Sequence, residues 1–359
     1  MPEQRIPKYQ QLASTLRDMI FSEEFSSGDR LETEKEMSER FGVSRQTVRQ
    51  AVSSLVNEGL LIRKQGSGTY VNDTIPKDVS ARRQNTIVFI STYITDYLFP
   101  SIIRGMETVV TAHGYSLILH ATKNRVDNEK KILLSLLENL PAGLIVEGTK
   151  TAFANPNVGL YRKISDFGVP IVFVNGFYPE LNLPYVVTDD YGGGQKAVNF
   201  LVSHGHTQIG GLFKVDDMQG RRRYEGFLNE ITSQGLDIHD DSIVWFTTET
   251  REQLFTGEQG LSLLQSFSRC TAIVCYNDQV ALNLVSLFLK NGISVPRDKA
   301  VISFDNSLFA NISPVRLTSL DHPKEKLGQL AAENVIRLIN GENIQPVIMP
   351  WGFDEKESV

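Results

Sequence analysis

From Thr86 onward the chain alternates between short β-rich runs and mostly amphipathic helical stretches, and this restricts its fold more than any other feature. The runs are TIVFI, SLILHA, AGLIVEG, PIVFVN, YVVTD, IGGLFK, SIVWFT, TAIVCYND and AVISFDN. Each is short, bounded by turn residues and rich in Val, Ile and Phe, as strands are. Strands that alternate with helices imply βαβ units, and hence parallel sheets covered by helices on both faces. About ten such strands exceed one sheet of usual size. The expectation is an α/β body of two similar, doubly wound parallel-sheet lobes, although no sequence repeat marks the halves.

In open α/β sheets, ligands bind beyond the carboxyl ends of the strands. Here those ends carry Thr92 and Tyr93, Glu147, Asn175, Asp189 and Asp190, Lys214, Asn277 and Asp278, and Asp305 and Asn306. Two facing sets would line a cleft between lobes. Carboxylates and amides suit a polyhydroxylated ligand, because each hydroxyl both donates and accepts. Taken singly, each residue is as readily the N-cap of the helix that follows.

The first 71 residues have a different texture. Tyr9, Leu12, Leu16, Met19 and Ile20 give a first helix over 7–21 one apolar face. Thr33-Glu34-Lys35-Glu36 is a capping box that opens a second. Ser44 caps a third, in which Val48, Ala51, Val52, Leu55 and Val56 form one stripe opposite Arg45, Gln46, Arg49 and Gln50. Arg and Gln are the side chains that read guanine and adenine edges in a major groove. The hairpin IRKQGSGTYV, with Gly66 and Gly68 at its tip, would be a wing. This is the pattern of a winged helix-turn-helix. From Arg40 to Asn72 five basic residues stand against one acid, Glu58, as a one-sided phosphate-contacting surface requires. A solvated helix pair would share the polar face but not that asymmetry. The segment 72–85 is polar and Pro-containing and reads as a linker. The expected domains are thus 1–71, 72–85 and 86–359.

A net charge of −6 excludes indiscriminate coating of nucleic acid and confines DNA contact to a patch. No run approaches the ~18 apolar residues of a membrane span, and MPEQRIPKYQ has no apolar signal core, so a cytoplasmic location is expected. Cys270 and Cys275 lie in or beside an apolar run and read as buried thiols, so neither a metal site nor a cofactor is expected. An enzyme is not expected either. There is no GxSxG, HExxH or phosphate loop, and the adjacent Asp189 and Asp190 would point to opposite faces of a strand.

Residues 7–71 resemble the winged helix of GntR-type regulators, through PKYQQL and GDRLETEKEMSERFGVSRQTVRQAVSSLVNEGLLIRKQGSGTYV. That resemblance implies DNA contacts at Lys35, Ser44, Arg45, Gln46, Thr47, Arg49, Gln65 and Gly66. The family usually has Arg where Lys35 stands and often Pro where Glu32 stands. Residues 86–340 resemble the effector domain of LacI-type regulators, which is similar in fold to periplasmic sugar-binding proteins. DYLFPSIIRGMETVVTAHGYSLIL, DDYGGGQKAVNFLVSHGHTQIG, RYEGFLNEI and CYNDQVALNLVSLFLKNGISVPRDKAVISFDN carry it. It implies ligand contacts at Tyr97 or Phe99, Asp189 or Asp190, Arg223, Asp278 and His322, beside Tyr93, Glu147 and Asn175 from the strand ends. The pairing of such a head with such a body resembles the family of arabinose-responsive repressors. That implies L-arabinose as effector, a homodimer, palindromic operators as DNA partner, and release when sugar binds. The chain departs from LacI-type sequences at its end, MPWGFDEKESV, where Asp354 and Glu355 leave the last edge strand in question.

Overall fold

The computed structural model describes residues 7–21, 25–26, 28–57, 60–64, 67–72 and 84–359. Internal contacts divide the chain into two units, 1–82 and 83–359. The expected wing-tip contacts Gln65 and Gly66, and most of the expected linker, lie outside the described residues.

In the first unit, helices α1 (Lys8–Phe21), α2 (Glu34–Phe41) and α3 (Arg45–Asn57) precede strands β1 (Leu61–Lys64) and β2 (Gly68–Val71). Thr33 and Glu36 close the capping box of α2. Gly42, at φ 62°, ends it in the left-handed conformation that glycine adopts without strain. The α3 stripe packs as its spacing demands: Val48, Ala51, Val52 and Leu55 are buried against Leu12, Leu16, Met37 and Leu61. β1 and β2 pair antiparallel, Leu61 opposite Val71 and Lys64 opposite Gly68.

The second unit is two lobes. Lobe one holds β3 (Gln84–Ser91), α4 (Phe99–Ala112), β4 (Ser116–Ala121), α5 (Val126–Glu138), β5 (Pro141–Val146), α6 (Val158–Asp166), β6 (Ile171–Val174) and β7 (Tyr185–Thr188). The chain then crosses to lobe two: α7 (Asp190–Ser203), β8 (Ile209–Lys214), α8 (Met218–Ser233), β9 (Ile243–Phe246), α9 (Gly257–Ser266), β10 (Ala272–Cys275), α10 (Asp278–Lys290), β11 (Ala300–Asp305), α11 (Leu308–Ile312) and β12 (Thr318–Asp321). It returns for α12 (Lys324–Ile339) and β13 (Val347–Met349). The sheets run β13-β7-β6-β5-β3-β4 and β12-β11-β10-β8-β9, with every neighbouring pair parallel. Central strands such as β5, β6, β10 and β11 are buried at every position, which explains why they are almost wholly apolar, Ser303 and Asp305 of β11 excepted.

The final segment crosses once more. Asp354 exchanges backbone hydrogen bonds with Ser319, and the Ser358 carbonyl accepts from Val301 N at 2.8 Å, so the tail lies along lobe two. The last edge strand of lobe one is β13, and the acidic tail covers the edge of lobe two.

The repeat that the sequence hides shows in helix packing. Gly105 and Gly328 let α4 and α12 touch backbone to backbone in lobe one. Gly194 and Gly226 do the same for α7 and α8 in lobe two. A Cβ at any of the four would run into a carbonyl of the facing helix.

Candidate functional site

On the head, the outer face of α3 presents exposed Arg45, Gln46, Arg49 and Gln50. Ser44 Oγ accepts from Thr47 N at 3.1 Å and lies 2.8 Å from Thr47 Oγ1, placing two hydroxyls at the start of that helix. Exposed Lys35 lies in the first turn of α2. Arg49 is held: its guanidinium donates to both oxygens of Glu34, Nε at 3.1 Å and Nη2 at 2.8 Å. The same bonds lower the pKa of Glu34. Any contact of Arg49 with DNA must share or exchange that carboxylate. Arg63 on β1 donates to Ser53 at 3.0 Å, tying the wing's arm to α3.

In the body, the strand ends converge on a cleft between the lobes of about 900 Å³, its mouth included. Of the expected ligand residues, Tyr93, Tyr97, Phe99, Glu147, Asn175, Arg223 and His322 line it together. Glu147 Oε2 accepts from Thr92 N at 2.7 Å, Thr92 Oγ1 at 2.5 Å and Ser91 Oγ at 3.2 Å. Burial raises its pKa despite these donors. Asn175 is buried on a left-handed backbone, φ 60°, and among the described residues neither atom of its side-chain amide has a hydrogen-bond partner, although its dipole steadies the Glu147 charge.

From lobe two, burial works against the charge on Lys214, yet Asp217 at 2.9 Å and Asp216 at 3.3 Å outweigh it and raise its pKa. Arg223 is buried on α8, where Nε donates to Asp190 at 2.8 Å and Nη1 to the Tyr276 carbonyl at 2.5 Å. The two partners respond unequally. Burial outweighs the pull of Arg223 and pushes the Asp190 carboxyl up to about 6. Arg223 overcomes its own burial through Asp190 and Asp305 and keeps its charge. At neutral pH the pair is therefore ionic. His322 is held neutral by burial and by the charges of Lys324 and Arg223, with Nδ1 unpartnered among the described residues.

Two expectations need correction. Asp189 does not line the cleft: it is exposed and caps α7, accepting from Gly192 N at 2.9 Å. Asp278 is turned inside lobe two. Its Oδ1 accepts from Ser303 at 2.5 Å and Ser319 at 2.7 Å, and its Oδ2 from Ser307 N at 2.6 Å. Its neighbour Asn277 lines the cleft instead. Tyr97 does line the cleft, where its hydroxyl donates to Asp305 at 2.5 Å and accepts from Asn277 at 2.7 Å, bridging the lobes. Asn124, Asp217, Arg251 and Tyr276 also line the cleft and were missed. Each lies within about five residues of a strand's carboxyl end, so a wider window would have found them.

A winged DNA-binding head and a two-lobed body with a polar cleft define a ligand-controlled regulator of transcription. Residues 8–71 match the gntR family of bacterial regulatory proteins, and 198–359 match the periplasmic binding protein-like domain. The chain is 36% identical to the arabinose metabolism transcriptional repressor of Geobacillus stearothermophilus, over 97% of this chain and 95% of that one. It is 38% identical to the repressor of the same name from Halalkalibacterium halodurans, over 86% and 83%. Among solved structures, the transcription regulator CcpA of Lactococcus lactis has TM-score 0.68 and 22% identity, over 77% of this chain and all of that one. A CelR–cellobiose complex also has TM-score 0.68, at 19% identity, over 92% and 100%. At such identities these two show the fold alone. The chain belongs to the family of arabinose metabolism transcriptional repressors. Like its relatives it is a repressor that carries a DNA-binding head and a sugar-binding domain, and it is not an enzyme. Among the described residues, no helix is long and apolar enough to cross a membrane.

Proposed function

We propose that this repressor acts on arabinose-utilisation genes and that L-arabinose in the inter-lobe cleft releases it from its operators. The observation that carries the reading is the Asn175 amide, buried in the cleft beside Glu147 with donor and acceptor both unused among the described residues. A buried polar group without a partner costs about 1–3 kcal/mol, which a hydroxyl would relieve. Glu147, Asn175 and Tyr93 from lobe one would face Arg223, Asp305 and Lys214 from lobe two, giving a sugar acceptors and donors on both sides. The names of the two near relatives direct the choice to arabinose. Calorimetry with L-arabinose, xylose, ribose and galactose tests it. L-Arabinose is expected to bind tightest and to release operator DNA, and a protein indifferent to all four would refute it.

The head would contact DNA through Lys35, Ser44, Arg45, Gln46, Thr47, Arg49, Gln65 and Gly66. A homodimer would set two copies of α3 in successive major grooves of a palindromic site. The sugar works through its unequal affinity for two body arrangements, of which only one suits DNA. Arg45→Ala is expected to weaken operator binding by about 1–3 kcal/mol while leaving sugar affinity unchanged. Gel-shift titration beside calorimetry reads both.

A further inference from the structure

The strands that carry the chain between lobes, β7 and β13 in one sheet and β12 in the other, lie toward one edge of each sheet, with β4 and β9 at the opposite edges. On that far side, loops after β4 and β5 meet loops after β8 and β9. Asp216 is fully buried there, and its Oδ2 accepts from Thr248 N at 3.2 Å and Thr248 Oγ1 at 2.8 Å. Lys150 reaches across from lobe one, 3.8 Å from the Asp216 carboxylate, and donates to Glu249 at 2.6 Å. The Asn124 amide donates to Thr248 Oγ1 at 2.6 Å. Beside them Thr151 Oγ1 accepts from Met218 N at 2.9 Å.

Lobe one holds its half of this junction under strain. Asn124 and Lys150 have φ of 53° and 48°, and Lys150 N donates to Asn124 Oδ1 at 2.9 Å. Non-glycine residues persist in that region only where surroundings over-determine them, and they gather at clamps and switches. The bracing is Glu129, which is fully buried and accepts from the hydroxyls of Tyr161 and Tyr178 at 2.9 and 2.8 Å. Tyr178 in turn accepts from Thr149 N at 2.7 Å. Lys150, Asp216 and Glu249 do not line the cleft, but Lys214 does, and it pairs with Asp216 at 3.3 Å.

We propose that Lys150, Asp216 and Glu249 form a closure latch, a set of positioning residues that hold the lobes together opposite the crossings and so set effector affinity without touching the effector. This rests on the reading of the cleft as the effector site. A ligand that binds only the closed arrangement has its apparent affinity reduced by the fraction of protein closed beforehand. Without the Lys150 ammonium, Asp216 and Glu249 lose their cross-lobe counter-charge and the open arrangement gains.

The test uses the full-length protein with Lys150→Met and Lys150→Arg. Lys150→Met is expected to bind L-arabinose about tenfold more weakly, and Lys150→Arg to stay near wild type. Raising salt should weaken wild-type binding more than that of Lys150→Met, because screening acts on the charge pair that variant lacks. A second measurement needs no sugar. Spin labels at Lys130→Cys and Glu258→Cys, both exposed, report the inter-lobe distance, while native Cys270 and Cys275 are buried. Lys150→Met should shift that distribution to longer separations. Unchanged distances in Lys150→Met overturn the latch, as does unchanged sugar affinity. If wild type binds no sugar, the effector reading fails and the distance measurement alone decides the latch.

Discussion

Arg223→Met is expected to silence the effector response and to destabilise the body by about 3–5 kcal/mol, the usual consequence of stripping a buried charge of its partner. Arg223 lines the cleft and acts at all three chain crossings. It bonds Asp190 at the first, its charge acts on His322 at the second, and its guanidinium lies 4.9 Å from the Trp351 ring at the third. The loss should depend on pH. The folded pKa of Asp190, about 6, exceeds its ordinary 3.8, so its contribution is fully present below the lower value and is lost as pH rises through the higher. Removing Arg223 takes away the chief force lowering that folded pKa, so the losing window extends upward. The melting-temperature gap between wild type and variant should therefore widen from pH 5 to pH 8. A gap independent of pH would show that Asp190 is not the stranded group. Adding Asp190→Leu should recover much of the stability, as apolar replacement of a buried pair often does, while leaving the sugar response absent.

Much of this architecture could be read from the chain. All nine β-rich runs became strands β3 to β11. The central ones did so because parallel strands buried on both faces need largely apolar residues, the edge strands β4 and β9 because they keep Leu, Ile, Val and aromatic residues while partly exposed. β12 and β13 escaped notice: three of the four residues of TSLD are polar, and VIM is three residues between prolines. The strand-end rule found the cleft but not the direction of each side chain. In both Asp189-Asp190 and Asn277-Asp278 the first residue caps a helix and the second is buried in its first turn. Yet only the second pair sends its cap into the cleft, since the rotation of the helix on its sheet decides the matter. Partners distant in sequence were beyond reach. Arg49 and Glu34 are 15 residues apart, and Lys150 and Glu249 are 99.

Asp278 shows how that ambiguity changes an expected phenotype. As a direct sugar contact, its removal would abolish the sugar response in a fully stable protein. The geometry gives a different result. Burial and the charge of Asp305 raise the pKa of Asp278, while Ser303, Ser307 N and Ser319 support its charged form and tie β11, the start of α11 and β12 to α10. Asp278→Ala strips those three donors of their common acceptor inside lobe two, leaving Ser319 only a long 3.4 Å bond to the Leu320 carbonyl. It is expected to destabilise the body by about 3 kcal/mol, at roughly 1–3 kcal/mol per buried donor less the relief of losing a desolvated charge. Asn277→Ala should do the reverse, since Asn277 faces the cleft: it loses only the N-cap and the bond to Tyr97, worth about 1 kcal/mol each, while weakening sugar binding more. Urea unfolding and sugar calorimetry on the two variants separate the cases. An Asp278→Ala protein that unfolds at the wild-type urea concentration but ignores sugar would restore the direct contact, and with it a cleft deeper than the one described.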